Sequence, residues 1–243
     1  MSTYRIALAG NPNTGKSTLF NMLTGLRQHT GNWAGKTVEK AESAYSYGND
    51  TFVVVDLPGT YSLFSNSEDE EVARDYVILG KPDVTVVVVD ATSLERHMNL
   101  ALQVLEMTSK VVVCVNLIDE ARKLGIEIDS KLLQERLGVP VVKVSAMRKE
   151  GIPELTRTIS KVAKGTLPVN PVQVRYNVTT EEKLAQMEDE IKRAVGDAYP
   201  ARWIALRMLD GDHGILKKLI QHTESPHYTE GMEVSYHGRT VCH

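Results

Sequence analysis

The sequence predicts an α/β protein: a mostly parallel sheet flanked by helices, followed by a small all-α unit. Three features carry that expectation. Val84–Val89 and Val111–Val115 are near-continuous valine runs, the mark of parallel strands covered on both faces. Gly10-Asn11-Pro12-Asn13-Thr14-Gly15-Lys16-Ser17 obeys G-x-x-x-x-G-K-[ST] and directly follows the apolar Ile6-Ala7-Leu8-Ala9, giving the strand, loop and helix order of a phosphate-binding loop. Beyond Pro168 and Pro171 only helical spacing remains.

Taken in order, Ile6–Ala9 is a buried strand and Thr18–Leu23 a helix. Gln28 to Lys36 is a polar, glycine-rich loop holding Trp33. Val38 to Tyr47 alternates loosely and suits an edge strand, which Gly48-Asn49-Asp50 turns into Thr51–Val55. A hairpin therefore joins an otherwise parallel sheet. Asp56-Leu57-Pro58-Gly59 ends the strand, and a polar segment through Asn66 leads to a helix from Glu68 to Leu79. Strand Val84–Val89, helix Leu94–Met107, strand Val111–Val115, strand Val141–Val144 and helix Ile152–Val162 follow. Gly165 to Pro171 reads as a linker, which divides the chain into 1–165 and 166–243. In the second unit Thr179 or Thr180 is placed to cap a helix with Leu184, Met187, Ile191 and Val195 at helical spacing. Pro200 precedes a second helix containing Trp203 and Leu206, and Ile215–Ile220 forms a third.

A chain of 243 residues with 42% hydrophobic content can build an ordinary core. Its net charge of −3 gives no general attraction to nucleic acid. No stretch approaches the roughly 18 apolar residues of a spanning helix, and Met-Ser-Thr-Tyr-Arg runs straight into the first strand, so a soluble cytosolic chain is expected. Cys114, in an apolar strand, and Cys242 imply free thiols rather than a disulfide framework.

At the start of a helix, unpaired backbone N–H groups and the positive end of the helix dipole favour anions. Gly10 and Gly15 let the backbone of Asn11, Pro12, Asn13, Thr14 and Thr18 curl around phosphate oxygens; Lys16 reaches the β and γ phosphates and the Ser17 hydroxyl meets Mg²⁺. Asn116-Leu117-Ile118-Asp119 follows a buried strand. The Asp119 carboxylate can accept from guanine N1–H and N2–H₂, a donor pair that adenine lacks. Ser145-Ala146-Met147, after the last strand, offers a backbone N–H to guanine O6. Each short motif is weak alone; their order after the phosphate loop predicts a Ras-like P-loop domain that takes GTP and GDP.

The motifs together are similar to those of the ferrous-iron transport protein B family of bacteria. The resemblance rests on the phosphate loop, on Gly31-Asn32-Trp33-Ala34-Gly35-Lys36-Thr37-Val38-Glu39, on Asp56-Leu57-Pro58-Gly59-Thr60-Tyr61-Ser62-Leu63 and on Asn116-Leu117-Ile118-Asp119. It covers residues 1 to about 165 and extends to the following helices, which match less clearly from about His222. The departures are Ala34 where that family usually has Pro, Lys36 where it often has Val, and Leu117 where Ras-like proteins have Lys, which implies modest affinity and rapid exchange.

The resemblance implies that residues 28–39 and 59–66 are switch loops, and that the helical unit links the GTPase to a membrane-spanning iron permease and favours GDP. Partners would be that permease region of the same full-length protein, small cytosolic accessory proteins and further copies of the chain. The location would be the cytoplasmic face of the inner membrane. Thr60 stands where Ras-like proteins keep the water-orienting Gln. Resemblance to potassium-activated GTPases implies that Asn13 holds K⁺ with backbone carbonyls near Gly31 and Trp33. By spacing and order, Thr37 would donate its hydroxyl to Mg²⁺, Asp56 would hold the metal through water, and the Gly59 N–H would touch the γ-phosphate. Asn13, Lys16, Thr37 and Gly59 are thus the catalytic candidates. Sequence leaves open whether Trp33 packs near the nucleotide or lies exposed. His222, His227, His237, Cys242 and His243 fit no compact metal motif. Two other readings remain at this stage: a ribosome- or RNA-associated GTPase, for which a basic domain is lacking, and a metallochaperone NTPase, for which clustered Cys and His ligands are lacking.

Overall fold

The computed structural model describes residues 1–25, 29–34, 36–64, 67–212 and 214–223. The first compact unit is Met1–Asn177 and the second begins at Val178. In the first, β1 (Thr3–Gly10), α1 (Lys16–Thr24), β2 (His29–Asn32), β3 (Glu39–Tyr47), β4 (Asp50–Asp56) and α2 (Glu68–Leu79) are followed by β5 (Val84–Asp90), a single 3₁₀ turn at Ala91–Ser93 and α3 (Leu94–Met107). Then come β6 (Val111–Asn116), α4 (Ile118–Lys123), α5 (Ser130–Leu137), β7 (Val141–Lys143) and α6 (Ile152–Ala163). The second unit holds α7 (Val178–Val195), α8 (Ala201–Leu209) and α9 (Gly214–Thr223).

The strands of the described residues lie in one sheet, in the order β2-β3-β4-β1-β5-β6-β7. β4, β1, β5, β6 and β7 are parallel, and β2 and β3 run antiparallel to their neighbours. This is the expected hairpin in a parallel sheet. Ile6, Leu8, Val54, Val86 and Cys114 pack with Phe20 of α1 and with Leu155 and Ile159 of α6 over one face, while α2 and α3 lie against the other strand positions. Phe20, Leu155 and Ile159 are all but completely buried, each worth about 1.5–3 kcal/mol of hydrophobic transfer. Because the five parallel strands share a direction, Gly10, Asp56 and Asn116, each at a strand's carboxyl end, open on one edge of the sheet, where β1 separates chain segments that wind in opposite directions. Ligands of open α/β sheets bind at such an edge.

The helices start where their chemistry favours it. Ser67 caps α2, its hydroxyl accepting from the Glu70 N–H at 3.2 Å, and Glu68, Asp69, Glu70 and Glu71 fill the first turn, where the helix dipole favours carboxylates. Asp129 caps α5 in the same way through the Lys131 and Leu132 N–H groups. Gly151 enters α6 at φ 77°, and a Cβ there would lie 2.1 Å from the Lys143 carbonyl oxygen.

Four features depart from the sequence expectation. The glycine-rich loop contains β2, which extends the sheet beyond β3. Helices α4 and α5 fill a stretch in which no helix was expected, because α4 is only six residues long and Leu137 is the one buried residue of α5. α7 starts at Val178, so Thr179 and Thr180 lie within its first turn and not at the cap position ahead of it. Contact compactness also assigns 166–177 to the first unit. There the Asn170 N–H donates to Gly138 O and the Val172 N–H to Leu137 O, both at 2.9 Å.

In the second unit, Leu184 and Ile191 of α7, Trp203 and Ile204 of α8, and Ile215 and Leu219 of α9 are buried. Arg202 ties α8 to α7 through Glu181 at 2.8 and 2.9 Å. Among the described residues no helix is long and apolar enough to cross a membrane and no group of three or more His, Cys, Asp or Glu could hold a metal ion. His227, His237, Cys242 and His243 lie outside the described residues, as do Gln28, Gly35, Asn66 and the side chain of His222.

Candidate nucleotide site

The loop between β1 and α1 is shaped by residues for which alternatives do not fit. Gly15 takes φ 77°, and a Cβ on it would lie 2.5 Å from Asn116 Nδ2; one on Gly10 would lie 2.7 Å from Val88 O. Asn13 is left-handed at φ 66° and its side chain is exposed. The Thr14 hydroxyl donates to Asn11 O at 2.9 Å. Asn11 is buried with its side-chain oxygen unpartnered. Lys16 opens α1; Ser17 is exposed and Thr18 half-buried in the same first turn.

Lys16 Nζ donates to the Asp56 carboxylate and, at 2.6 Å, to Leu57 O. Burial pushes the Asp56 carboxyl up from the usual carboxylate range, and the Lys16 charge opposes that shift. The ammonium stands here as a cation on the carboxylate expected to hold a metal through water. The segment expected to be the second switch begins against the same loop: the Thr60 N–H donates to Gly10 O at 3.3 Å, and a Cβ on Gly59 would lie 3.3 Å from Pro12 N.

The residues expected to read the base meet the phosphate loop directly. Asn116 is fully buried; its Nδ2 donates to Thr14 O at 2.9 Å and its Oδ1 accepts from the Ala146 N–H at 3.1 Å. One amide thus fastens three loops together. With the Ala146 N–H engaged, the next N–H of that loop belongs to Met147, a residue 76% exposed. Asp119 is held below the usual carboxylate range by a hydrogen bond from Ser145 and by the Arg148 guanidinium, whose Nε lies 3.3 Å from its Oδ2. Leu117 is left-handed at φ 61° and enters α4.

The first switch is arranged differently from the Mg²⁺ and K⁺ expectations. Thr37 Oγ1 donates to Glu68 Oε2 at 2.8 Å. Gly31 pairs with Lys40 across β2 and β3, and Trp33 O accepts from the Lys36 N–H at 3.0 Å. Trp33 packs edge-on against Tyr76 of α2 with ring centroids 5.2 Å apart, under Lys40 Nζ at 5.4 Å. Lys36 Nζ meets Glu71 Oε2 at 2.6 Å, and that bond raises the lysine's pKa. The structure therefore brings together the phosphate loop, Asp56, Gly59, Asn116, Asp119, Ser145 and Ala146, and places Thr37, Gly31 and Trp33 in contacts of their own.

Partners that sequence reasoning did not single out are Glu68, Glu71, Gln103 and Arg96. Gln103 Oε1 of α3 accepts from the Leu63 N–H at 2.8 Å, and the Arg96 guanidinium stacks over Tyr61 at 4.9 Å, so α3 holds the segment that follows Gly59. The only sequence signal was the acidic first turn of α2, which also serves as a plain helix start.

Residues 4–159 match the family model described as "Ferrous iron transport protein B", and residues 176–232 match that of the "FeoB cytosolic helical domain". The Fe(2+) transporter FeoB of Escherichia coli K12 is 40% identical over 219 residues, 87% of this chain and 27% of that protein. The chain thus spans about a quarter of the length of the curated relatives it matches. Among solved structures, the cytosolic domain of the T. maritima FeoB iron transporter in apo form gives a TM-score of 0.82 at 38% identity, covering 94% of this chain and 89% of that one. Its GMPPNP form gives 0.81 at 37%, covering 93% and 88%. The FeoB G-domain of Methanococcus jannaschii is 50% identical with a TM-score of 0.60, covering 68% of this chain and 99% of that one. With a family model matching residues 4–159 and the cytosolic domain of a relative, 38% identical, covered over 89% of its length, the chain belongs to the ferrous iron transport protein B family.

Proposed function

We propose that the chain binds GTP and GDP in preference to adenine nucleotides, hydrolyses GTP, and regulates ferrous-iron passage through a membrane-spanning permease region of a longer protein, from the cytoplasmic face of the membrane. The single observation that carries the nucleotide reading is Asn116, whose amide joins the phosphate loop to the Ser145-Ala146 loop beside Asp119. Solved relatives in GDP and GMPPNP forms support it, as do curated relatives described as Fe(2+) transporters.

The residues present fit a nucleotide with Mg²⁺. The loop is open where a Cβ would close it, Asn11 keeps a buried acceptor without a protein partner, and Asp56 already holds a cation in the form of Lys16. Ser17, Asp56 and Thr37 would hold Mg²⁺, and Asn13 with carbonyls near Gly31 and Trp33 would hold K⁺. Bound there, the two cations supply positive charge beside the phosphates as negative charge shifts during transfer. Lys16 leaves Asp56 to pair with β and γ phosphate oxygens, the backbone N–H groups of residues 13–18 orient the phosphates, and the Gly59 N–H faces the γ-phosphate. Asp119 selects guanine, because its acceptors stay unsatisfied with adenine.

The test is binding of labelled nucleotides. GTP and GDP should bind far more tightly than ATP, and Asp119→Asn should weaken guanine nucleotides and shift preference toward xanthine nucleotides, whose acceptor matches the new amide. Equal affinity of the native chain for ATP and GTP would overturn the base assignment.

A further inference from the structure

Two side chains next to each other in the first switch are both held by the first turn of α2. Thr37 Oγ1 donates to Glu68 Oε2 at 2.8 Å, and Lys36 Nζ pairs with Glu71 Oε2 at 2.6 Å. The Lys36 and Glu71 side chains are 30% and 25% exposed, so water screens the pair only in part. The bracing behind them is continuous: Trp33 rests on Tyr76 one turn further along α2, the Trp33 N–H donates to Val38 O, and the Lys36 N–H donates to Trp33 O. α2 itself is fixed at its start by the Ser67 cap. Lys36 also stands where Val is common among relatives by the resemblance described above, so a Lys36–Glu71 bond needs two residue types that this chain supplies together.

We propose that Glu68 and Glu71 are positioning residues forming a catch that holds the first switch on α2, with the Thr37 hydroxyl committed to a carboxylate. The inference rests on the assignment of Thr37 as a ligand of nucleotide-bound Mg²⁺. The hydroxyl's lone pairs stay available while its proton points to Glu68, so the catch acts through position: drawing Thr37 to a metal held at Ser17 and Asp56 releases it from Glu68 and releases its neighbour Lys36 from Glu71. The catch therefore opposes the triphosphate form, which recruits Thr37, and does not oppose the diphosphate form, which makes no demand on it. It biases one nucleotide against the other without touching either, and a ligand shifts such an equilibrium only through its differential affinity for the two arrangements.

The experiment measures equilibrium dissociation constants of GDP and of GMPPNP with Mg²⁺ for the native chain, Glu68→Ala, Lys36→Val and the exchanged pair Lys36→Glu with Glu71→Lys. Each single substitution should tighten GMPPNP by about 2- to 5-fold, the scale of a part-exposed charged contact, while GDP affinity stays unchanged. The exchanged pair restores an ion pair of opposite polarity but sets a lysine at 71 against Arg74 and a glutamate at 36 against Glu68 and Asp75, so it should return the GMPPNP to GDP ratio only part of the way to the native value. If the ratio does not move in Lys36→Val and Glu68→Ala, or both nucleotides move together, the catch is overturned and the contacts are structural. Thr37→Ala separates this outcome from failure of the underlying assignment: the Mg²⁺ dependence of GMPPNP binding should fall in that variant, and if it does not, the metal role of Thr37 and the catch both fail.

Discussion

Asn13 sits at φ 66°, a left-handed conformation that Asn tolerates better than most residues, so one side chain both shapes the loop and leaves an exposed amide beside it. Thr60 offers no equivalent of the water-orienting Gln and is buried against Gly10 O. Phosphate release should therefore be faster in K⁺ than in Na⁺. Asn13→Ala should abolish most of that difference, and Asn13→Gly, which relieves the backbone cost of about 1 kcal/mol, should fail equally because it too lacks the amide. Thr60→Ala should leave the K⁺ to Na⁺ ratio little changed; a rate indifferent to the monovalent ion would end the potassium assignment. At this scale the sequence was legible wherever chemistry forces a residue type at a fixed spacing. Gly10, Gly15, Lys16, Asp56, Asn116 and Asp119 are of that kind. Glu68, Glu71, Gln103 and the Leu57 carbonyl were not, since each meets its partner across 31 to 41 residues of chain, and no local pattern encodes such a meeting.

Among the elements, α6 illustrates how one position sets a helix. Gly151 combines φ 77° with a backbone approach that leaves no room for a methyl group, the Lys143 carbonyl oxygen lying 2.1 Å from an ideal Cβ. A Cβ on Gly165, at φ 67°, would meet nothing within 4 Å. Gly151→Ala should cost at least about 2 kcal/mol, because β7 or α6 must shift, whereas Gly165→Ala should cost about 1 kcal/mol from backbone strain alone. Urea midpoints of the two variants measure the difference, and equal values would show that the junction gives way freely. Strands and long helices were readable because their burial repeats: α2 and α3 fall where the apolar spacing puts them. α4 is too short at six residues to leave a period, α5 buries only Leu137, and β2 is four residues long with Thr30, Gly31 and Asn32 exposed.

For the whole molecule, the division of labour is the open quantity. The boundary read at 165 from Gly and Pro content differs from the compact boundary at 177, since composition reports turn chemistry but not the bonds that fasten Asn170 and Val172 back to α5 and its end. Truncation after Asn177 therefore keeps the first unit whole, and solved G-domain structures of relatives support its folding alone. If the helical unit senses nucleotide state, linkage requires that its removal change GDP affinity relative to GMPPNP by the coupling factor, commonly about 5- to 150-fold. Identical ratios in the folded truncated chain and the full one would reduce the helical unit to a spacer. The sheet carries one more consequence. β2 occupies the outermost position beside β3 and is made of first-switch residues, so any movement that peels it away uncovers a row of unpaired backbone groups on β3, a template on which a foreign strand can add. The sheet meets that hazard with Glu39, Lys40 and Glu42, the last two joined at 2.7 Å: charges on the exposed border tax a stranger's desolvation while leaving the chain's own strand free to return.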